Sequence, residues 1–305
     1  MSAASDYAQH LPAGRRAAAR HEPTERRWAW RRHDVCIAEA LAPASPARLL
    51  VVHGAGAHSG ALWPIASLLH GRGLEVLAVD LPLYGGTRTH DPAGVRYDDW
   101  VALLVDLVAA ERERDPRPLV LLGASIGGML VLEVAGRTSG VDAVLATCLL
   151  DPRDARARAR MTRFGPLAAL APLLLPAVRG RLARLRIPMS AVADLRRMSR
   201  SAALSRQCAA DPRGGGARVP LGFLASYLAY RHTGPRTATV PVSLVHPDHD
   251  SWTPMELSAR VLRRLRAPSR LVPLRGCGHF PVEEPGLGDL LDEVGSVMAD
   301  VGGRR

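Results

Sequence analysis

From about residue 25 onward, short continuous apolar runs alternate with longer segments in which apolar residues recur at helical spacing. The runs RLLVVHG (48–54), EVLAVD (75–80), LVLLGA (119–124) and VDAVLATCLL (141–150) lack the polar alternation of a half-exposed strand, so they predict strands buried on both faces. Two leading strands are expected in WAWRRHDVCIAEAL (28–41). Helix-like stretches separate the runs. In DDWVALLVDLVAAERER (98–114), Trp100, Leu103, Leu104 and Leu107 fall on one face. This β-α-β rhythm predicts a mostly parallel, doubly wound sheet with helices on both sides.

The rhythm stops at Asp151. Residues 152–235 read as helical, Pro-interrupted and Arg-rich, with FGPLAALAPLLLPAV (164–178) in the first half and the loop ADPRGGGARVP (210–220) in the second. Strand and helix signals then return in PVSLVH, MELSARVLRRLR, SRLVPLRG and GLGDLLDEVGSVM. An interruption followed by a resumption is an insertion. The expected organisation is a flexible tail over 1–24, a core over 25–151 and 236–305, and a helical cap over 152–235. No internal repeat is visible.

Composition narrows the class. With 305 residues, 47% of them hydrophobic, the chain can bury one sizeable core. Cys36, Cys148, Cys208 and Cys277 are scattered without paired spacing, which suggests neither a disulfide framework nor a zinc site. The first residues contain no continuous apolar stretch, and no later run is long enough to span a bilayer, so a cytoplasmic location is expected. All 40 basic residues are arginine. Aromatic residues make up 4% of the chain and do not interleave with basic ones, so no nucleic-acid partner is expected despite the excess positive charge.

Candidate chemistry begins at Gly123-Ala124-Ser125-Ile126-Gly127. This G-x-S-x-G sequence lies where a strand should turn abruptly into a helix, a placement that exposes the Ser125 hydroxyl at the carboxyl edge of the sheet. A serine hydroxyl needs an imidazole to take its proton, and the imidazole needs a carboxylate to orient it. LRGCGHFPVEEP places His279 in the loop after the last strand, and PDHDSWTP places Asp248 and Asp250 in the loop after the preceding one. Asp151, also at a strand end, is a further candidate acid. The order is Ser, Asp, His. His246, Asp248, His249 and Asp250 crowd one five-residue stretch, but with no second ligand cluster elsewhere they do not predict a metal. Cys277 occupies no elbow and is expected to pack as a small apolar residue.

Taken together, these motifs resemble the α/β-hydrolase superfamily over nearly the whole length after the tail. The segments His53–Gly60 and Asp80–Thr87, the G-x-S-x-G-G run Gly123–Gly128, the acid loop Asp250–Pro254 and the G-x-G-H run Gly276–His279 look like its monoacylglycerol lipase and lysophospholipase branch. The resemblance implies an α/β-hydrolase fold with an inserted cap, and a catalytic triad of Ser125, Asp250 and His279. It also implies an oxyanion hole formed by the backbone N–H groups of Ala55 and Ile126. Ala124 stands where the branch usually has a larger residue, and Leu83 where it usually has glycine.

The expected function is hydrolysis of carboxylic esters, such as an acylglycerol or a lysophospholipid, through an acyl-enzyme and without a cofactor. Thioester or amide hydrolysis, carbon–carbon bond hydrolysis and cofactor-free haloperoxidase-like activity use the same triad. A non-catalytic binding protein on this scaffold is the alternative from another class. Charge adds one more expectation. Residues 152–235 hold sixteen arginines against only Asp154, Asp194 and Asp211. Val178, Leu182 and Leu185, with Arg179, Arg181, Arg184 and Arg186 around them, read as a basic amphipathic helix suited to an anionic lipid surface; the plainer reading is a solvated basic face.

Overall fold

The computed structural model describes residues 3–304. Its first strands, β1 (Thr24–Trp30) and β2 (His33–Ala40), pair antiparallel, and the turn between them places Arg31 at a φ of 49°. The apolar runs then form β3 (Arg48–Val52), β4 (Glu75–Val79), the two-residue β5 (Arg88–Thr89), β6 (Leu119–Gly123) and β7 (Ala143–Ala146). Residues 186–188 and 218–220 form β8 and β9, and the series ends with β10 (Val242–Pro247) and β11 (Ser269–Leu274). Among the described residues nine strands make one sheet, in the order β1-β2-β4-β3-β6-β7-β10-β11, with β5 paired to the start of β2. From β4 to β11 every neighbouring pair is parallel. Strands β3, β4, β6 and β7 are buried at every position; their apolar runs suit burial on both faces, and the charged first residues Arg48 and Glu75 pair with Glu111 and Arg117.

The helices of the chain are α1 (Ala3–Ala8), α2 (Ala13–Arg16), α3 (Ser59–His70), α4 (Tyr97–Arg114) and α5 (Ile126–Ala135), followed by α6 (Ala155–Met161), α7 (Ala171–Leu174), α8 (Gly180–Ala183) and α9 (Ala202–Ala210). They end with α10 (Leu221–Ala229), α11 (Gly234–Thr237), α12 (Met255–Leu262) and α13 (Gly286–Gly302). No helix among the described residues is long and apolar enough to cross a membrane.

Chain order explains where a site can form. The chain steps from β3 outward to β4, then returns to β6 on the other side of β3. The loops after β3 and β6 therefore diverge at the carboxyl edge and leave a crevice between them, the usual ligand position in an open α/β sheet.

Three expectations need correction. Residues 1–24 are not a loose tail where they are described: Tyr7 and Leu11 are buried, and the Trp63 indole donates to the His21 carbonyl at 2.7 Å. Tyr7 and Leu11 join the hydrophobic core, and Tyr7, His10 and Arg15 bond Asp211, Gln207 and Glu284. The stretch between β7 and β10 is not wholly helical, because β8 and β9 pair antiparallel with Ile187 opposite Val219. Nor do residues 178–186 form one amphipathic helix. Gly180, at a φ of 52°, opens the single turn α8, and Arg186 already belongs to β8.

Candidate active site

Strand β6 ends at Gly123 and α5 begins at Ile126, which leaves two residues for the reversal. Ser125 makes it with φ 55° and ψ −127°, a conformation L-residues adopt only under constraint. Its N–H donates to Thr147 Oγ1 at 2.9 Å, and the Gly127 N–H donates to the Ala124 carbonyl at 2.8 Å. A side chain on Gly123 would place its Cβ 2.3 Å from the Gly127 carbonyl oxygen, so the turn closes only around glycine.

Asp250 and His279 come from the loops after β10 and β11. His279 Nδ1 lies 2.7 Å from Asp250 Oδ2, with both side chains buried. Asp250 Oδ1 accepts the N–H groups of Trp252 and Thr253 at 2.8 Å each, and Oδ2 also accepts the Thr253 hydroxyl at 2.6 Å. Burial works against the carboxylate's charge, but His279 and these donors outweigh it and hold the pKa at about 2. The Trp252 ring packs against the imidazole at 4.7 Å between centroids. With Nδ1 directed to Asp250, Nε2 is the free nitrogen: it is buried, has no hydrogen-bond partner, and belongs to a residue that lines the same cavity as Ser125.

The loop after β3 forms the other wall. His53 is fully buried; its Nε2 accepts the Leu81 N–H at 3.0 Å and its Nδ1 donates to the Gly54 carbonyl at 2.8 Å. Burial pushes this imidazole down to about 4, so it is a neutral strut tying the loop to the end of β4. Asp80 adds a second tie by accepting from Ser59 N at 2.6 Å and Gly86 N at 2.7 Å. A Cβ on Gly54 would stand 2.8 Å from Ser125 Cβ and 3.3 Å from Ile126 N. Only glycine lets the loop that carries Ala55 approach the elbow this closely. Ile126 N is the first amide of α5, which no intrahelical carbonyl can reach.

Two cavities meet at Ser125 and Ala55. One lies over the sheet between α3 and the His279 loop, and its lining includes Leu62, Ile65, Leu69, Leu122, Met198 and Phe280. The other lies beneath the segment between β7 and β10, with Met161, Met189, Phe223, Tyr227 and Trp252 among its walls. Both are lined almost entirely by apolar side chains.

The remaining sequence candidates lie elsewhere. Asp248 accepts the Gly276 N–H at 2.7 Å and braces the turn that leads to His279. Asp151 caps a turn by accepting from Arg153 N at 2.9 Å. His249 is exposed with Nε2 3.9 Å from Asp248 Oδ1, and His246, within β10, is buried with Nδ1 donating to the Pro247 carbonyl, so the four groups do not converge on one point. Cys277 donates to the Glu283 carbonyl, and burial pushes its thiol up to about 12.

Sequence reasoning missed several residues. Thr147 holds Ser125 but belongs to no motif that would announce it, and Thr253, although inside the Asp250–Pro254 motif, carries no sign there that its hydroxyl holds Asp250. Asp211 binds His58 Nε2 at 2.8 Å and the Tyr7 hydroxyl at 2.9 Å. One signal was available: Asp211 is among only three acids in an otherwise basic stretch of 84 residues.

Fold order, elbow and buried Asp–His pair define the α/β hydrolases. A family model described as the alpha/beta hydrolase family matches residues 49–287, and the chain belongs to that family. Human protein phosphatase methylesterase 1 is 28% identical over 105 residues, which are 34% of this chain and 27% of that protein, so the match spans about a quarter of that relative's length. Among solved structures, a monoacylglycerol lipase from Paleococcus ferrophilus superposes with a TM-score of 0.67 at 20% identity, covering 88% of this chain and 99% of that one. A soluble variant of monoglyceride lipase from Saccharomyces cerevisiae, solved with a substrate analog, gives 0.70 at 16% identity over 93% and 98%.

Proposed function

We propose that the protein is a serine hydrolase of carboxylic esters. The observation that carries this reading is the 2.7 Å contact between His279 Nδ1 and Asp250 Oδ2 beside a cavity shared with the strained Ser125. Ser125 Oγ attacks the acyl carbon as His279 Nε2 takes its proton, and Asp250 stabilises the resulting imidazolium. The carbonyl oxygen, now negative, accepts from the N–H groups of Ala55 and Ile126, each worth on the order of 100-fold in rate. His279 returns the proton to the departing alcohol. Water then enters, gives a proton to His279 and cleaves the acyl-enzyme, releasing the acid and restoring Ser125. The reading requires no cofactor.

Apolar walls on both sides of Ser125 favour an ester with apolar groups on both the acyl and the alcohol limb over one with a compact charged head. The segment 152–235 serves as the cap over this site. Its outer surface exposes Phe164, Leu167, Leu170, Leu173, Leu174, Leu182 and Leu185 among arginines, a composition suited to peripheral contact with anionic lipid.

A fluorophosphonate probe tests the central step. The wild type is expected to be labelled on Ser125 and to turn over apolar esters, whereas Ser125→Ala folds, escapes labelling and loses at least about a thousandfold in kcat. Labelling of the alanine variant would refute the assignment. A parallel panel of thioesters and amides separates ester specificity from the other reactions of such a triad.

A further inference from the structure

The cavity between α3 and the His279 loop has a floor and a roof of different origin. Val51 of β3 and Leu122 of β6 lie on the floor. Met198 and Cys208 come from the segment between β7 and β10, and Tyr7 comes from α1. Tyr7 is 4% exposed, and its ring meets Phe280 edge-on at 6.4 Å and His58 at 6.0 Å between centroids. Its hydroxyl donates to Asp211 Oδ2, the oxygen that also binds His58 Nε2. One carboxylate therefore joins three segments: α1, the loop that carries Ala55, and the residues just after α9.

The groups facing this joint keep it closed. Burial opposes the charge of Asp211, but His58, the Arg213 N–H and Tyr7 hold its pKa at about 2. Burial, with Cys208 and Asp211 alongside, pushes the Tyr7 phenol well above its ordinary value, so the hydroxyl remains a donor. A large ring fixed at both its face and its tip is a rigid wall, unlike the flexible Met198 beside it.

We infer that Tyr7 is a specificity-determining residue of the site: its ring closes the Ser125 cavity on the α1 side and sets the length of the apolar substrate limb that the cavity admits. This rests on the reading of Ser125 as the reacting group, but the cavity and its wall can be measured without turnover. The phenol acts as the wall's fastening and Asp211 as its anchor. Neither takes part in the chemistry.

The test compares wild type with Tyr7→Ala, Tyr7→Val and Tyr7→Phe on two ester series, one lengthened on the acyl limb and one on the alcohol limb. In one series, Tyr7→Ala and Tyr7→Val are expected to move the preferred length outward by two or more carbons. Each methylene newly admitted is worth about fourfold in kcat/KM, so long substrates gain about fifteenfold relative to short ones. Tyr7→Phe keeps the ring and should keep the wild-type length profile. Equal loss on every substrate in both series would overturn the inference, since that is what simple loosening of the fold produces. The second readout is the rise in melting temperature given by n-alkanols of increasing length. The longest alkanol that stabilises Tyr7→Val should exceed the wild-type limit, and an unchanged limit overturns the inference. Because this arm needs no catalysis, a wild type that hydrolyses no ester would refute the proposed function and leave the wall assignment to be decided by the alkanol limits.

Discussion

Asp248 and Asp250 stand two residues apart in one loop, and their surroundings give them different work. Asp250 is buried against His279, whereas Asp248 braces Gly276 from the surface. Asp250→Asn is expected to lower kcat on a soluble ester by about ten-thousandfold, because an amide at that position favours the wrong imidazole tautomer. Asp248→Asn should stay within about tenfold of wild type, and the opposite ranking in steady-state kinetics would make Asp248 the acid. The placement of Ser125, Asp250 and His279 just past strand ends was legible in the sequence because each lies within a short contiguous motif. Tyr7 and Asp211 were not, since 204 residues separate two groups that meet only in the fold. Leu83 is intermediate. The sequence marked it as a departure from the family, and the structure supplies the physical meaning: a φ of 86°, where glycine is normally required. Ala124 lines the cavity over the sheet, so the larger residue usual at that position would occupy space that is open here.

Among elements, the buried strands were the most legible, because runs of four consecutive apolar residues bounded by charged, polar, Gly or Pro positions leave few alternatives. The pairing of β8 with β9 was invisible: three-residue strands have no period to detect, and their register is set by contacts with residues thirty or more positions away. Helix α5 illustrates a different limit. Glu133 lies on its buried side and is fully enclosed, an unlikely place for a lone carboxylate to judge from sequence. Its oxygens accept the N–H groups of Thr233 and Gly234 at 2.6 and 2.7 Å and pair with Arg137 Nε at 2.8 Å. Glu133 thus pins the chain where it returns to the core before β10. Removing it leaves the buried Gly234 amide without its acceptor and takes a partner from Thr233 and Arg137, so Glu133→Ala should cost about 2 kcal/mol in urea unfolding, with earlier proteolysis within 152–235. A cost below about 1 kcal/mol would show that this anchor is dispensable.

At the scale of the whole molecule, charge and exposed apolar surface coincide on one segment. Leu167 and Leu173 are 70% and 77% exposed, and Arg179 and Arg181 lie close to them in sequence, while Arg184 is paired with Asp91 at 2.9 Å. Sedimentation with vesicles containing anionic lipid should show binding that weakens as salt rises, and Arg179→Gln with Arg181→Gln should reduce it by about tenfold at low salt. Equal binding to neutral vesicles would leave the arginines without a part in it. The same segment enters after β7 and leaves before β10, yet β7 and β10 are direct parallel neighbours. A single cut anywhere in its surface loops therefore divides the polypeptide into two pieces, one carrying Ser125 and the other Asp250 and His279, that remain joined by backbone hydrogen bonds between β7 and β10, two strands from the edge of the sheet. The two pieces are therefore natural fragments for complementation, the smaller bringing β10, β11 and the Asp250–His279 pair to a larger piece that already holds the other seven strands of the sheet.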